Sequence, residues 1–408
     1  MKLSKLISYS VVLVSISSVL AWCDLPIGNT FVWWLFESLV LIIFFLVANK
    51  GKYDNKLINF FLIIVVFSFI YGFFTQVQNY WDCKMMVSNL MIFLLPIATY
   101  TFRQPALFSQ VLRFWFVVGP VLLLFLSPFL HSDAYGKLLV PFSVFALWMN
   151  EVPRKFQLLI LGAFIICVTL GNQARGDMLK FFYCIFLGGL SMIPFLRRIF
   201  DKCIRGLWLL QIVIPFILFA LAISGSFNIF AIQSELDFDD YEISNTKEKE
   251  KYNGLADTRS LLYIEEFISA VNNHYIVMGR SLARGYDSES FGDQIDGELN
   301  ISRGERGSCE VSILNIFNYF GLVGVLVYAL LFWISSYKAI FISRNRFMPL
   351  LGLYISFRWC YAFVEDFTKF DLNYLLLWIM IGMCFSIKYR RMNNCGFKFF
   401  INRCIPIK

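Results

Sequence analysis

The sequence predicts an all-α integral membrane protein with about twelve transmembrane helices, both termini in the cytoplasm, and one large periplasmic loop between spans 9 and 10. The first observation is composition. Hydrophobic residues make up 58% of the 408 residues and charged residues 16%, against about 45–50% and about 25% in soluble domains. The second is a series of long apolar stretches, and the third is the uneven placement of Lys and Arg between them.

Twelve apolar stretches follow one another along the chain. They lie near 6–22, 31–48, 57–75, 85–102, 110–130, 137–149, 156–171, 179–196, 207–225, 311–336, 347–363 and 371–387. Most approach the roughly 20 residues that a helix needs to cross a hydrocarbon core of about 30 Å. In lipid each must be helical, because its backbone groups have no water to pair with. The weakest is 137–149, with only 13 suitable residues.

The basic residues set the predicted orientation. When the gaps between stretches are assigned alternately to two sides, one side receives 22 of the 36 Lys and Arg. The short gaps on the other side hold few: Lys84, Lys137, Arg175 and Lys369. Basic residues favour the cytoplasmic side, so the bias predicts an even number of spans. Omitting 137–149 alone would turn the basic tail outward. The bias also explains the net charge of +8 without a nucleic-acid partner.

This assignment divides the chain into three regions. Residues 1–225 hold spans 1–9, residues 226–310 form the large outer loop, and residues 311–408 hold spans 10–12 and a basic cytoplasmic tail. The loop is acidic, with 17 Asp and Glu against 8 Lys and Arg. Its first part, 235–254, has the dense mixed charge of a solvated connector.

The second part of the loop predicts an amphipathic helix that begins at 258–259 and stops before Gly279. Apolar residues recur at helical spacing, including Leu261, Leu262, Phe267 and Val271. Such a helix either lies in the membrane interface or packs on the outer ends of the spans. It is followed by a turn-rich segment with Gly at 279, 285, 292 and 297.

Several arginines lie on the predicted outer side, against the usual bias. They are Arg175, Arg259, Arg280, Arg284, Arg303 and Arg306. Arginine keeps its charge and offers a rigid fork of donors that suits phosphate and pyrophosphate. The group therefore favours an anionic ligand near the outer span mouths, and pairing with the loop carboxylates is the alternative for any one of them.

Arg358 is a separate case, because it lies inside the predicted span 347–363. A charge there is costly and is usually functional or paired. Glu365, Asp366 and Asp371 follow in the next outer gap and are the expected partners. Structural pairing and ligand binding both remain open for this residue.

The sequence predicts no metal site and no cofactor. Neither His131 nor His274 has a second His or a Cys pair at metal-ligand spacing. The ten Cys are scattered without a CxxC pair. Phosphate-loop, GxSxG and HExxH motifs are missing from the sequence, and with them the nucleotide domain that an ATP-driven transporter needs.

Three segments resemble the bacterial O-antigen polymerases of the Wzy type and the related O-antigen ligases. LGNQARGDMLKFFYCIF at 170–186 is similar to the family's outward Ser-Arg-Gly turn, with Ala174 in place of Ser. DTRSLLYIEEFISAVNNHYIVMGRSLARGY at 257–286 resembles the family's loop helix, which an Arg opens about twenty residues before a Gly-rich turn. GSCEVSILNIFNYFGLVGVLVY at 307–328 resembles the span that a polar cluster enters.

The resemblance implies a metal-independent, C-type glycosyltransferase in the bacterial inner membrane. Its substrates would be oligosaccharides linked to undecaprenyl pyrophosphate, and lipid pyrophosphate would leave from the donor sugar. The implied catalytic residues are Arg175, Arg259 and Arg280, which would stabilise the pyrophosphate, with Glu310. Arg284, His274 and Arg358 are the implied substrate-binding residues. Membrane lipid, a chain-length regulator and a flippase are the further partners that such an enzyme implies.

The chemistry also needs a group that takes the proton of the acceptor hydroxyl. Glu310 ranks first because it lies where the loop returns to the membrane. The other candidates are His274, Asp177 and Glu289.

Three other functions are weighed against a polymerase. A ligase would use the same donor but transfer the whole glycan to lipid A-core, and it would rely on a His at the end of the loop. A lipid-linked oligosaccharide flippase would place more charges inside the spans and would lack an outer loop of this length. A scaffold protein would not need arginines on the outer side of the membrane, where the charge bias disfavours them.

Overall fold

The structure is a computed structural model that describes residues 3–20, 22–23, 30–48, 55–171, 175–223, 242–244, 251–253, 259–290 and 303–406. Much of the predicted outer loop lies outside these residues. The helices, with bounds in chain order, are α1 Leu3–Leu20, α2 Thr30–Ala48, α3 Lys56–Thr75, α4 Tyr80–Leu94, α5 Ala98–Thr101, α6 Pro105–Leu126, α7 Ser132–Ala146, α8 Arg154–Thr169, α9 Arg175–Met192, α10 Pro194–Ile223, α11 Arg259–Asn272, α12 Ser312–Phe341, α13 Phe347–Tyr361, α14 Leu372–Phe385, α15 Ile387–Arg391 and α16 Asn394–Cys404.

Two short antiparallel strand pairs accompany the helices in the described chain. Strands β1 (Glu242–Ser244) and β2 (Lys251–Asn253) form one pair. Strands β3 (Tyr286–Asp287) and β4 (Glu305–Arg306) form the other, with Tyr286 opposite Arg306. Both pairs belong to the predicted loop, so the rest of the described fold is helical.

Six helical stretches of the described chain are long and apolar enough to cross a membrane. They are Thr30–Ala48, Lys56–Thr75, Tyr80–Thr101, Pro105–Phe129, Pro194–Leu221 and Ser312–Phe341. Large apolar side chains such as Phe74, Leu124 and Phe125 are more than 70% exposed, as a lipid-facing surface requires. The prediction of an all-α membrane protein is therefore confirmed at this level.

Helix α7 contains the weakest predicted span and lies in the centre of the bundle. It runs from 132 to 146 rather than 137 to 149, and every residue from Leu138 to Ala146 is buried. It packs on α1, α8, α9 and α14. Because neighbouring helices cover α7, it needs no lipid-facing apolar surface. This explains why it can contain Gly136, Pro141 and Ser143.

The bundle has two ends, which we name by what packs on them. At the loop end, residues 259–290 and 303–310 cover the tips of α3, α4, α12 and α13. Asn89 Nδ2 donates to Leu282 O at 3.0 Å, and the Tyr263 hydroxyl donates to Phe363 O at 2.8 Å. At the tail end, Phe397 and Phe400 of α16 are buried, and Glu151 pairs with Arg346 and Lys398.

Helix α12 is broken at Gly321, where φ is 63° and ψ is −163°. The break frees backbone groups that the loop then satisfies. Leu322 N donates to Ile276 O at 2.9 Å, and Arg280 N donates to the freed Asn318 O at 2.6 Å. The sequence places Gly321 in a mid-span Gly-x-x-Gly pattern, and the structure gives that glycine its role as the break point.

Helix α11 is shorter than predicted, and much of its apolar face is exposed. It ends at Asn272, because Asn273 and His274 form a turn in which His274 has a φ of 57°. Asn and His are among the residues that tolerate this left-handed region best. Its exposed residues include Phe267 and Ile268, whereas Glu266 and Ser269 are buried. The apolar face of α11 thus points away from the bundle.

Candidate functional site

Charged side chains meet at the loop end where α7, α9, α13 and α14 converge. In α9, Lys180 Nζ lies 2.5 Å from Asp177 Oδ1, and both side chains are about nine-tenths buried. The charges of Asp371 and Arg358 interact with this pair. We call Asp177, Lys180, Arg358 and Asp371 the charge cluster.

Two glycines let the helices approach closely around the cluster. A methyl group on Gly136 of α7 would lie 2.5 Å from Asp177 Cβ, and one on Gly176 of α9 would overlap the Tyr361 hydroxyl. Gly176 is the glycine of the predicted Arg-Gly turn. Its role is therefore steric, since it allows Tyr361 of α13 to lie against the first turn of α9.

Arg358 is completely buried in α13. Its Nη1 donates to Asn373 Oδ1 at 2.8 Å and to the Tyr354 hydroxyl at 3.3 Å. Its guanidinium lies over the Phe367 ring, 4.3 Å from the centroid. Its Nε and Nη2 have no hydrogen-bond partner in the described structure.

The acidic partners expected for Arg358 are otherwise engaged. Asp366 accepts from Thr368 N at 2.9 Å and from the Ser312 hydroxyl at 3.3 Å. Asp371 caps α14 by accepting from Tyr374 N at 2.7 Å. Among the residues that the structure describes, Arg358 forms no ion pair with a carboxylate, because Asn373 and Tyr354 supply its oxygen acceptors instead.

Arg175 and Arg259 begin helices at the same end of the bundle. Arg175 opens α9 and is exposed, one residue before Gly176 and two before Asp177. Arg259 opens α11, and its side chain lies outside the described part of the chain. One turn later, the bond from Tyr263 to Phe363 holds α11 beside the connection between α13 and α14.

Arg280 and Arg284 are paired with loop carboxylates. Arg280 Nη1 donates to Asp287 Oδ1 at 2.8 Å, and Nη2 donates to Glu305 Oε1 at 3.1 Å. Arg284 Nε donates to Glu305 Oε2 at 2.8 Å, and its Nη2 also contacts Glu305. Hydrogen bonding to Glu305 raises the pKa of Arg284 above its ordinary value. We call Arg280, Arg284, Asp287 and Glu305 the loop clamp.

The remaining predicted loop residues lie around the clamp. Arg303 Nη1 donates to Asp82 Oδ1 at 2.8 Å, which joins the loop to the first turn of α4. Arg306 lies 3.6 Å from Glu310, whose side chain is 59% exposed. His274 is exposed in the turn after α11. The structure thus brings Arg280, Arg284, Arg303 and Arg306 into ion pairs. Arg358 belongs to the charge cluster, and Arg175 opens the helix that carries Asp177 and Lys180.

Glu266 is a buried acid that the sequence analysis does not single out. It faces inward from α11 with 1% exposure. Burial raises the pKa of its carboxyl well above the ordinary value, and the nearby Arg280 opposes that rise in part. The apolar periodicity of α11 gives the spacing of its faces but not which face turns inward, so no signal in the sequence pointed to Glu266.

Lys180 and Asn373 are the other residues that the sequence analysis missed. An Asp-x-x-Lys pair at the mouth of a span was a usable signal for Lys180, since positions i and i+3 share one helix face. No such signal exists for Asn373, because its contact with Arg358 joins two helices.

The described residues contain no group of three His, Cys, Asp or Glu side chains placed to hold a metal ion. Comparison with known proteins adds no relative: no protein-family model matches the sequence, and no curated protein matches it.

Proposed function

We propose that this chain is a polysaccharide polymerase of the bacterial inner membrane. It would join oligosaccharide repeat units carried on undecaprenyl pyrophosphate, by glycosyl transfer at the periplasmic face. In this proposal the chain crosses the membrane twelve times, with the loop end in the periplasm and both termini in the cytoplasm.

The observation that carries the proposal is the buried guanidinium of Arg358, with two nitrogens lacking partners. Burying a charge without a carboxylate is costly, and in a membrane protein such a residue is usually retained for function. Lys180 lies in the same cluster, and Arg175 begins the same helix as Lys180. A diphosphate offers the several anionic oxygens that these donors can bind.

The proposed reaction is the glycosyl transfer that the resemblance to O-antigen polymerases implies. The acceptor hydroxyl oxygen attacks the anomeric carbon of the donor sugar and forms the new glycosidic bond. The bond from that carbon to the pyrophosphate oxygen breaks, and the leaving diphosphate takes the electron pair. Arg175, Lys180 and Arg358 stabilise the developing charge.

Asp177 and Glu310 are the two carboxylates that we propose as candidates to take the proton from the acceptor hydroxyl. Asp177 belongs to the charge cluster itself, whereas Glu310 lies at the end of the loop beside Arg306. Glu310→Gln separates the two assignments, because the exposed Glu310 carboxylate can be removed without breaking the buried Asp177–Lys180 pair. A lower rate with unchanged donor binding would assign the base to Glu310, and an unchanged rate would favour Asp177.

Arg280 and Arg284 act differently in this proposal. Glu305 and Asp287 offset their charges, so they order the loop over the site and do not bind the pyrophosphate directly. His274 lies exposed beyond α11 and is left as a candidate contact for the glycan.

The test uses the full chain in lipid nanodiscs with a lipid-linked repeat unit as substrate. The expected products are longer lipid-linked chains and undecaprenyl pyrophosphate. Arg358→Gln and Arg175→Gln should reduce product formation at least a hundredfold. Arg198→Gln removes an exposed arginine at the start of α10 and should retain full activity.

In the source strain, loss of a polymerase should leave lipid A-core capped with a single repeat unit. Bare core would instead indicate a ligase and would contradict the proposal. Unchanged chain length in Arg358→Gln, at normal membrane abundance, would contradict the role of the charge cluster.

A further inference from the structure

The tail end of the bundle contains a cavity of about 620 Å³. It lies at the opposite end from the charge cluster, and the proposed transferase activity does not use it. Its walls come from α1, α2, α3, α5, α6, α12, α14 and α15, together with the connections before α3 and α6. Ile7 marks the wall from α1, and Phe385 marks the wall from α14.

Four basic side chains line this cavity: Arg103, Lys338, Lys388 and Arg390. Among its described lining residues, none is Asp or Glu. Lys338 Nζ lies 4.9 Å from the centroid of the Phe385 ring, and Arg390 Nη2 donates only a long bond, 3.4 Å, to Phe385 O. The described lining of the cavity therefore carries an excess of basic side chains.

A second tail-end cavity provides the contrast. It has a volume of about 190 Å³ and is also lined by arginines, but Glu151 and Asp201 line it with them. Glu151 pairs with Arg346, and Asp201 lies 3.9 Å from Arg197. A general excess of basic residues at this end explains both sets of cations. It does not explain why only the larger cavity lacks carboxylates among its described lining residues.

Three buried polar atoms on residues that line the larger cavity lack a partner in the described structure. They are Arg390 Nε, Asn55 Nδ2 and Thr99 Oγ1. A buried donor without an acceptor is energetically costly, so such an atom favours a ligand that supplies one. Asn55 uses its other side-chain atom, Oδ1, to cap α3 through Leu57 N, which leaves the amide nitrogen for another acceptor.

Apolar side chains form the rest of the wall. Val47, Ile58 and Leu107 line the cavity beside the cations, so one region suits an anion and another suits hydrocarbon. Basic pockets between transmembrane helices on the cytoplasmic side are suited to anionic lipid headgroups. We propose that this cavity binds a phosphate group through Lys338, Arg390 and Asn55, supplied by an anionic membrane lipid whose acyl chain lies along the apolar wall.

The test measures lipid binding to the purified full chain by native mass spectrometry and by thermal unfolding. The probes are phosphatidylglycerol, the zwitterionic phosphatidylcholine, and inorganic phosphate. We expect phosphatidylglycerol to bind and to raise the melting temperature by several degrees, with little effect of phosphatidylcholine. A Lys338→Gln/Arg390→Gln double variant should bind phosphatidylglycerol at least tenfold more weakly.

Two further variants separate the site from general electrostatic attraction. Lys388→Gln changes an exposed residue of the cavity rim and should weaken binding about threefold without affecting folding. Arg391→Gln removes an exposed neighbouring cation that does not line the cavity, and binding should change less than twofold. Equal loss in Arg391→Gln and Lys388→Gln would overturn the proposal.

Inorganic phosphate distinguishes the source of the ligand. If millimolar phosphate displaces phosphatidylglycerol and gives the same stabilisation, the phosphate site stands and the lipid is not its occupant. If neither phosphate nor phosphatidylglycerol stabilises the protein, the cavity is not an anion site.

Discussion

The backbone of Gly279 in the loop lies directly against that of Gly321 in α12, and neither position has room for a side chain. A methyl group on Gly279 would lie 2.5 Å from Tyr319 C, and one on Gly321 would lie 2.5 Å from Gly279 N. Both residues have positive φ, 77° and 63°. This contact couples the break in α12 to the segment that carries the loop clamp.

Gly321→Ala and Gly279→Ala should each detach the loop from α12. A left-handed non-glycine residue in a strained position costs about 1–3 kcal/mol, and the steric overlap adds to that cost. Thermal unfolding in detergent should show a lower melting temperature for both. Gly162→Ala in α8 is the matched control, because nothing lies within 4 Å of its added methyl group. It should leave stability unchanged or raised, and equal loss in all three variants would contradict the coupling.

Asp177→Asn should destabilise the protein more than removal of the whole pair. It leaves the Lys180 ammonium buried without its partner, and breaking such a pair costs about 3–5 kcal/mol. The double variant Asp177→Asn/Lys180→Met should recover most of that stability. The free energies of unfolding of the single and double variants measure the coupling. Additive losses would mean that the pair, 2.5 Å apart, is not energetically linked.

Glu305→Gln should loosen the loop clamp without unfolding the bundle. Glu305 accepts hydrogen bonds from both Arg280 and Arg284, and such charge-assisted bonds are worth about 1.5–3 kcal/mol each. Limited proteolysis should cut within 280–310 at least fivefold faster than in the unchanged protein. Glu289→Gln alters an exposed carboxylate of the same segment and should leave the cleavage rate unchanged. Cleavage that is no faster in Glu305→Gln would exclude the clamp as the restraint.

The buried Glu266 carboxyl should make loop stability depend on pH. Its pKa is raised in the folded state, so the folded protein holds this proton more tightly than the unfolded chain. Its contribution is therefore present below about pH 4.5 and is lost as the pH rises through the folded-state pKa. Melting temperatures between pH 5 and 8 should fall less steeply for Glu266→Gln than for the unchanged protein or for Glu289→Gln. Identical slopes in all three would refute the assignment.

The exposed apolar face of α11 should lie in the membrane interface. Phe267 is 58% exposed and Ile264 is 56% exposed, which suits an amphipathic helix at the headgroup level. In Phe267→Trp, brominated lipid in vesicles should quench the fluorescence of the new tryptophan. In Asn272→Trp, on the polar side of the helix, the quenching should be much weaker. The native tryptophans contribute a constant background fluorescence, which is measured with the unchanged protein and subtracted. Quenching at position 267 that is no stronger than at position 272 would contradict an interfacial orientation of α11.

Much of the fold could be predicted because the bilayer imposes simple rules on sequence. Long apolar runs identified α2, α3, α6 and α12, since a spanning helix needs its length in apolar residues. The break at Gly321 and the end of α11 at Asn272 were not predicted, because both depend on contacts between the loop and α12. A helical period also gives the spacing of a face but not its direction, so the inward Glu266 was missed.

Sequence could predict single residues of the candidate site but not the contacts between residues that are far apart along the chain. Arg358 drew attention because a charge inside a span is rare. Its proximity to the Asp177–Lys180 pair could not be predicted from the sequence, because it depends on how α9 and α13 pack. The loop clamp was named only as a general alternative, because 17 loop carboxylates offered no way to select Glu305.

The burial of α7 has a consequence for how the protein is made. A segment with so few lipid-compatible residues cannot partition stably into a bilayer by itself, so it must wait in the insertion machinery until α8 and α9 arrive. In truncated nascent chains that end after α7, the preceding helices already anchor the chain, but α7 itself should still crosslink to the insertion machinery, and this crosslink should be lost only when the following helical hairpin has been synthesised.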